Sequence, residues 1–186
     1  MIETERLILR QWQDTDLAGF AQLNANPIVM RYFPATLDRA SSDALAERIK
    51  RYIDANGYGF YAAERKLDGR FIGFIGANQS PENYPFAPCV DIGWRLDQEF
   101  WGQGLATEGA LAVRDDCFTR CELDEIVSLT PVSNSPSEHV MQKIGMQKQA
   151  DTFLHPSMAQ DHPLAEHVLY RMNEAQWQRQ LKHELI

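Results

Sequence analysis

At 186 residues, with 44% hydrophobic and 24% charged positions, the chain has the size and make-up of one globular domain with a sizeable core, not of a disordered or fibrous protein. The formal charge of −8 excludes the basic stripe of a duplex nucleic-acid surface and leans weakly toward a cationic acceptor. Residues 1–5 carry neither a basic nor an apolar leader region, and no apolar run reaches the roughly 18 residues of a membrane span, so a cytoplasmic chain with no membrane partner is expected.

Residues Glu3 to Trp12 alternate imperfectly between apolar and polar and read as a strand with at least one covered face. Asp14 is placed to cap a helix running to about Ala25, with Leu17, Phe20, Ala21 and Leu23 turned inward. Pro27 and Pro34 bracket a turn-rich corner, Ile28 to Phe33. A second helix runs from about Asp38 to Ala55, and Asn56-Gly57 stops it. Tyr58 to Arg65 and Arg70 to Gln79 read as a hairpin around Leu67-Asp68-Gly69. Ser80 to Pro88, with Pro81, Pro85 and Pro88, is a loop.

Cys89 to Leu96 is a strand, and Gly104 to about Arg120 a long helix whose Ala106, Ala110, Val113 and Cys117 form one stripe. Cys89, Cys117 and Cys121 make no C-x-x-C pair, and no zinc site or disulfide is expected. Glu125 to Thr130 is a strand, followed by a short helix and two apolar-rich segments, Met146 to Leu154 and Ala165 to Met172. The order predicts a mixed α/β (α+β-like) fold in a single domain over residues 1–186. Its twisted sheet of about seven strands is flanked by helices, without the regular alternation of a doubly wound fold.

The sharpest feature is the junction between the strand ending at Leu96 and the helix opening near Gly104. Gly102 and Gly104 let main-chain N–H groups approach an anion, and the helix that follows presents unsatisfied N–H groups and a positive dipole end. Together these make a phosphate site; the alternative is a merely tight loop. No G-x-x-x-x-G-K-[ST] occurs, and Thr107 stands where a dinucleotide fingerprint needs its third glycine.

The segment Asp91-Ile92-Gly93-Trp94-Arg95-Leu96 followed by Phe100-Trp101-Gly102-Gln103-Gly104-Leu105-Ala106-Thr107-Glu108 resembles the acetyl-CoA motif of GNAT N-acetyltransferases. The branch it resembles is named for ribosomal-protein N-terminal acetyltransferases. Thr4 to Arg10, Asn26-Pro27 with Met30 to Phe33, and Ser133 to Ser137 with Lys143-Ile144-Gly145-Met146 resemble other parts of that branch, in the same order. Trp101 occupies the family's usual Arg/Gln position, which removes one polar phosphate contact and leaves the main-chain N–H groups to bind.

The resemblance implies a GNAT fold, acetyl-CoA as co-substrate, no metal, and an amine acceptor, either a protein N terminus or a small molecule, in a monomer or homodimer. It implies CoA contacts from Trp94, Arg95, Leu96, Trp101, Gly102, Gln103, Gly104, Leu105, Ala106 and Thr107. Asn134 would meet the pantetheine arm, and Ser137 would lie near the sulfur as proton donor. The corner residues Tyr32 and Phe33 and the loop histidines His155 and His162 would shape the acceptor site.

Read from the residues alone, Ser135-Pro136-Ser137-Glu138 is a capping box with Ser135 at N-cap, and Gly145-Met146 closes a Schellman cap, leaving Asn134 and Ser137 free for chemistry. His155, His162 and His167 match no zinc spacing, and the residues alone favour a proline-stiffened loop with exposed or locally bonded imidazoles over a pocket lining. No Cys-His or Ser-His pair stands out for an acyl-enzyme; the resemblance implies direct attack of a neutral amine on the thioester, with main-chain N–H groups of Trp94-Arg95-Leu96 polarising the carbonyl as in that family. Asp91 is the expected base, acting directly or through water; the alternative is an edge-facing or ion-paired carboxylate. The competing readings are a catalytically inactive CoA-binding regulatory module and a nucleotide-binding α/β protein.

Overall fold

Helix and strand limits track the local sequence signals most closely in the middle of the chain. The computed structural model describes residues 1–184. It contains β1 (Ile2–Glu3), β2 (Leu7–Arg10), α1 (Asp16–Ala25), α2 (Arg39–Asn56), β3 (Phe60–Arg65), β4 (Arg70–Gln79) and β5 (Val90–Leu96). After a short turn of 3-10 helix come α3 (Leu105–Thr119), β6 (Glu125–Pro131), α4 (Ser135–Lys143), β7 (Gln147–Lys148), β8 (Phe153–Leu154), β9 (Glu166–Asn173) and α5 (Glu174–Glu184). The strands form one sheet in the order β1-β2-β3-β4-β5-β6-β9-β7, with β8 also paired to β9. This is the GNAT architecture. Every pairing is antiparallel except β5–β6.

The two faces of the sheet follow from strand alternation. Phe74 turns toward α1, where its ring lies 6.1 Å from that of Phe20. The next residue, Ile75, must point the other way. There it meets α3 so closely that a Cβ on Gly109 would collide with it. Thus α1 and α2 cover one face and α3 the other, and Leu7, Phe20, Ile72, Ile75, Ile92 and Ile126 are wholly buried between the layers.

Several expectations need correcting. The opening strand is broken in two because Thr4 folds back on Leu7, its Oγ1 accepting the Leu7 N–H at 2.9 Å, so that Ile2 pairs with Leu9. Helix α1 begins at Asp16 with Thr15 at its N-cap, not Asp14; the buried Asp16 carboxylate is held by Arg10. The segment Met146 to Leu154 splits into β7 and β8, which together with the break of the opening strand raises the strand number from about seven to nine. Helix α5 has no counterpart in the sequence reading. Its glutamine-rich sequence shows no dense apolar stripe, and its attachment rests on Trp177 stacked on Phe118 at 5.3 Å and on Gln180 bonded to Gly145 O at 2.6 Å.

Candidate functional site: an open strand pair and a glycine turn

Strands β5 and β6 touch in register at one position, Asp91 opposite Val127. Just beyond it Ser128 Oγ donates to the Ile92 carbonyl at 2.8 Å, and then the strands diverge. β6 remains paired to β9 along its whole length on the far side, so the opening is a wedge between two strands that are each anchored elsewhere.

Strand geometry decides which groups line this wedge. The carbonyls of Cys89 and Ile92 accept bonds from opposite sides, from Ser80 N on the β4 side and from Ser128 Oγ on the β6 side. Main-chain groups alternate, so those of Ile92, Trp94 and Leu96 face the wedge, and those of Asp91, Gly93 and Arg95 face β4. The expectation for Arg95 changes accordingly. Its N–H is turned into the β4 ladder, opposite Phe74, and only Trp94 and Leu96 offer free N–H groups to the opening.

The wedge ends at the glycine turn. Asp97 caps the 3-10 turn by accepting from Glu99 N at 3.0 Å, and Phe100 is buried. Trp101 Nε1 donates to the Leu96 carbonyl at 2.8 Å, which fixes the chain for the left-handed residues that follow. Gly102 and Gly104 have φ of +73° and +78°, a region costly for residues with a Cβ. Unlike α2 and α4, capped by Asp38 and Asn134, α3 has no side-chain cap. The N–H groups of Leu105, Ala106 and Thr107 therefore make no hydrogen bond among the described residues. Gln103 turns its side chain back to Glu99 O at 2.9 Å.

Arg6 brings a cation to this turn, donating from Nη1 to Gln103 O at 2.8 Å and pairing with Glu108 at 2.6 Å. Glu108 also accepts from Thr4 Oγ1 at 2.6 Å. Burial raises the Glu108 pKa, but the bonds from Thr4 and Arg6 outweigh it and hold the carboxyl below its usual range. Glu108 is therefore a brace between the N-terminal strand and α3.

On the other side of the wedge, Asn134 and not Ser135 is the N-cap of α4. The capping box is absent, because Glu138 accepts from Tyr170 Oη at 2.8 Å and from Lys148 Nζ at 2.7 Å. Asn134 is buried. Its Oδ1 accepts the Ser137 N–H, and its Nδ2 donates to Thr130 Oγ1 at 2.8 Å and to Ser137 Oγ at 3.0 Å. The Schellman cap at the other end of α4 is present: Gly145 has φ of +83°, and Met146 N donates to Met141 O at 3.0 Å.

Asp91 stands at the root of the wedge with its side chain on the α1–α2 face. No hydrogen bond satisfies its carboxylate among the described residues, and burial pushes its pKa up to about 8. Beside it lies a cluster of which the sequence named only His155 as a site residue. Tyr84 Oη and His155 Nε2 are 2.8 Å apart, and His155 and His167 have ring centroids 4.9 Å apart. His155 Nδ1 accepts the Ser157 N–H, so the neutral ring carries its proton on Nε2 and donates it to Tyr84. Burial keeps that ring neutral by lowering its pKa, and the same cause brings His167 down to about 4. Burial and then the nearby Asp91 charge raise the Tyr84 pKa to about 12. His162 is not in this cluster; its Nδ1 accepts Leu164 N in a local turn. Phe33 lies over the Arg95 guanidinium at 4.0 Å, and Tyr32 under that of Arg31 at 4.8 Å.

The family model described as an acetyltransferase (GNAT) domain matches residues 6–147. The chain belongs to the GNAT acetyltransferase family. It is 30% identical to the uncharacterised protein YkkB of Bacillus subtilis over 77% of this chain and 83% of that one. It is 27% identical to the uncharacterised N-acetyltransferase YnaD of the same organism over 95% and 98%. The crystal structure of an acetyltransferase from Agrobacterium tumefaciens superposes with a TM-score of 0.74 at 26% identity, covering 93% of this chain and 94% of that one.

As a GNAT acetyltransferase the protein uses acetyl-CoA for N-acetylation. The free glycine-turn N–H groups and the open β5 edge fit the diphosphate and amide-bearing arm of that co-substrate. Among the described residues no group of three or more His, Cys, Asp and Glu side chains could hold a metal, and no helix is long and apolar enough to cross a membrane. Arg6 and Tyr84 are not among the residues that the sequence singles out, because each reaches this candidate site from far away in sequence; a local sign for Tyr84 is the aromatic pair it makes with Phe86 in a proline-rich loop.

Proposed function

We propose that this chain transfers an acetyl group directly from acetyl-CoA to a primary amine, of a protein N terminus or a small molecule, in the cytoplasm. The observation that carries this reading is the wedge beyond Asp91 and Val127. At one end lie the uncapped N–H groups of α3, along one side the free N–H groups of Trp94 and Leu96, and across from them Ser137 at the start of α4.

The amine nitrogen attacks the thioester carbon, whose oxygen is held by a β5 N–H as negative charge develops on it. The C–S bond then breaks, Ser137 Oγ gives its proton to the departing sulfur, and the proton lost by nitrogen goes to Asp91, directly or through water. Ser137 suits its part because Asn134 Nδ2 already donates to its oxygen, leaving the hydroxyl proton to be given elsewhere. Asp91 suits its part because a carboxyl with pKa about 8 is a far stronger base than an exposed one. An acceptor α-amino group, with pKa of about 8, needs less help than a lysine near 10.4.

The test is a thiol-release screen of a primary-amine panel with acetyl-CoA, beside calorimetric CoA binding. Acetylated amine product is the expected result. CoA binding with no turnover on any amine would instead identify a regulatory CoA-binding module, and preferential stabilisation by ATP or NAD would refute the CoA site.

A further inference from the structure

Arg95 stands apart among the buried and half-buried arginines of the described residues, because it has no carboxylate. Arg10 is clamped by Asp16 and Glu64, each at 2.7 Å. Arg114 pairs with Asp115 at 2.8 Å and donates to the Ile144 carbonyl at 2.9 Å. Arg95 makes one hydrogen bond, from Nη1 to Asn24 Oδ1 at 2.6 Å. Its Nε is buried with no acceptor at all, and Nη2 has none either but is not sealed from solvent. The rings of Phe33 and Phe74 lie 4.0 and 5.3 Å from the guanidinium carbon.

A desolvated guanidinium without an anion is a standing penalty, and a neutral amide oxygen offsets it only in part. Burial lowers the Arg95 pKa to about 10, so the group is still a cation at neutral pH. Asn24 occupies Nη1, on one side of the guanidinium. Of the fork on the other edge, Nε is sealed, and Nη2 is the prong that an incoming carboxylate oxygen can reach.

The position of this fork relates it to the reaction. Asp91 and Arg95 project from the same face of β5, four residues apart, a span of about 13 Å along the strand. Arg95 lies under the Ile28–Phe33 corner, where Phe33 is partly exposed at the rim. The Phe60 ring covers Gly93 between them, so an acceptor passing over that ring would meet a base at one end and an unpaired cation at the other.

We propose that Arg95 recognises a carboxylate of the acceptor, so that the substrate class is a primary amine with a carboxylate several bonds from the nitrogen. This deepens the transfer reading above and rests on it for the role of the amine end. The chain's overall negative charge favours cationic acceptors at long range. Arg95 reverses that preference locally, where it repels the second ammonium of a polyamine and attracts an acid. A free ω-amino acid and a short peptide with an acidic side chain near its amino end both present this chemistry.

The experiment compares 6-aminohexanoate, its primary amide, spermidine and the peptide Ala-Gly-Asp amide as acceptors, for the wild type and for Arg95→Gln and Arg95→Lys. Acetyl transfer is followed by thiol release, and binding of 6-aminohexanoate to the CoA-loaded protein by calorimetry. The wild type should show a KM at least about tenfold lower for the acid than for its amide. The ratio should collapse toward one in Arg95→Gln and recover in part in Arg95→Lys. The peptide and the amino acid, compared with each other, tell which source of the carboxylate is preferred.

Equal KM for acid and amide in the wild type would overturn the proposal while leaving amine transfer intact. So would a ratio unchanged in Arg95→Gln, because a guanidinium that merely props the Phe33 corner affects both acceptors alike. Carboxylate binding that depends on Arg95, with no acetylation of any amine, would support the carboxylate site and count against the transfer reading. The absence of both carboxylate binding and a KM difference would overturn the site.

Discussion

Asn134 holds Ser137 at two points: its Oδ1 accepts the Ser137 main-chain N–H, and its Nδ2 donates to Ser137 Oγ at 3.0 Å. One buried side chain therefore starts helix α4 and also orients the hydroxyl proposed above as the proton donor.

Replacing Asn134 by alanine removes the N-cap and leaves Thr130 and Ser137 without their shared donor. We expect Asn134→Ala to lose about 1–3 kcal/mol of stability, measured by denaturant unfolding, besides any loss of CoA affinity. Ser135→Ala should change stability by less than about 0.5 kcal/mol, since the Ser135 hydroxyl makes no hydrogen bond among the described residues. The opposite ranking would return the cap to Ser135.

Gly104→Val should abolish CoA binding. A β-branched residue at φ of +78° is strained by about 1–3 kcal/mol, and its branches would project where the diphosphate meets the α3 N–H groups. The check is a thermal-shift titration with CoA. The stabilisation of about 2.7 kcal/mol that a ligand gives at 100 times its dissociation constant should vanish, while the ligand-free variant still unfolds cooperatively. Undiminished CoA affinity in a folded variant would rule the turn out as the diphosphate site.

Asp91 gives a pH prediction with two signs. As a base it works when ionised, so kcat/KM should rise through about pH 8, and this limb should disappear in Asp91→Asn with activity down by roughly 10²–10⁴. A limb due to the acceptor amine would move when the acceptor is changed; one due to Asp91 would not. Stability runs the other way. The folded carboxyl stays protonated up to about 8, whereas the unfolded one ionises near ~3.9, so the unfolded state binds fewer protons between those values and stability falls as pH rises across them. Asp91→Asn should therefore raise Tm relative to the wild type above pH 8 and change it least near pH 4. An unchanged Tm difference across that range would show that Asp91 is not desolvated.

How much of this could be seen in the sequence depended on whether the signal was local. The stop of α2 at Gly57, the limits of β4 and the turn at Gly102 and Gly104 are set by residues within a few positions, and all are where the sequence places them. The cap of α4 was misplaced by one residue because Asn134 and Ser135 are both good caps. What decides between them is Thr130, a partner on β6 that only the folded sheet supplies. The charge state of Asp91, the empty fork of Arg95 and the pairing of Tyr84 with His155 all depend on contacts across the sheet, for which spacing in one sequence carries no mark.

Ser137→Ala isolates the chemical step. The departing thiolate has a conjugate acid with a pKa near ~8.5, so a proton donor helps without being indispensable. Ser137 lies in the first turn of α4, where the helix dipole also favours negative charge growing on sulfur, and that contribution survives the substitution. Removing the hydroxyl also frees Asn134 Nδ2, which keeps Thr130 Oγ1 as a partner, so the cap itself should persist. Both the lost proton and the lost polarity act chiefly in the transition state. We therefore expect kcat to fall by roughly 10- to 1,000-fold with acetyl-CoA affinity nearly unchanged, measured by steady-state turnover beside calorimetry on the same variant. An acceptor amine of lower pKa should not rescue the variant, because the missing proton belongs to sulfur and not to nitrogen. Full kcat in Ser137→Ala would withdraw the proton-donor role and leave Ser137 as a polar residue of the helix start.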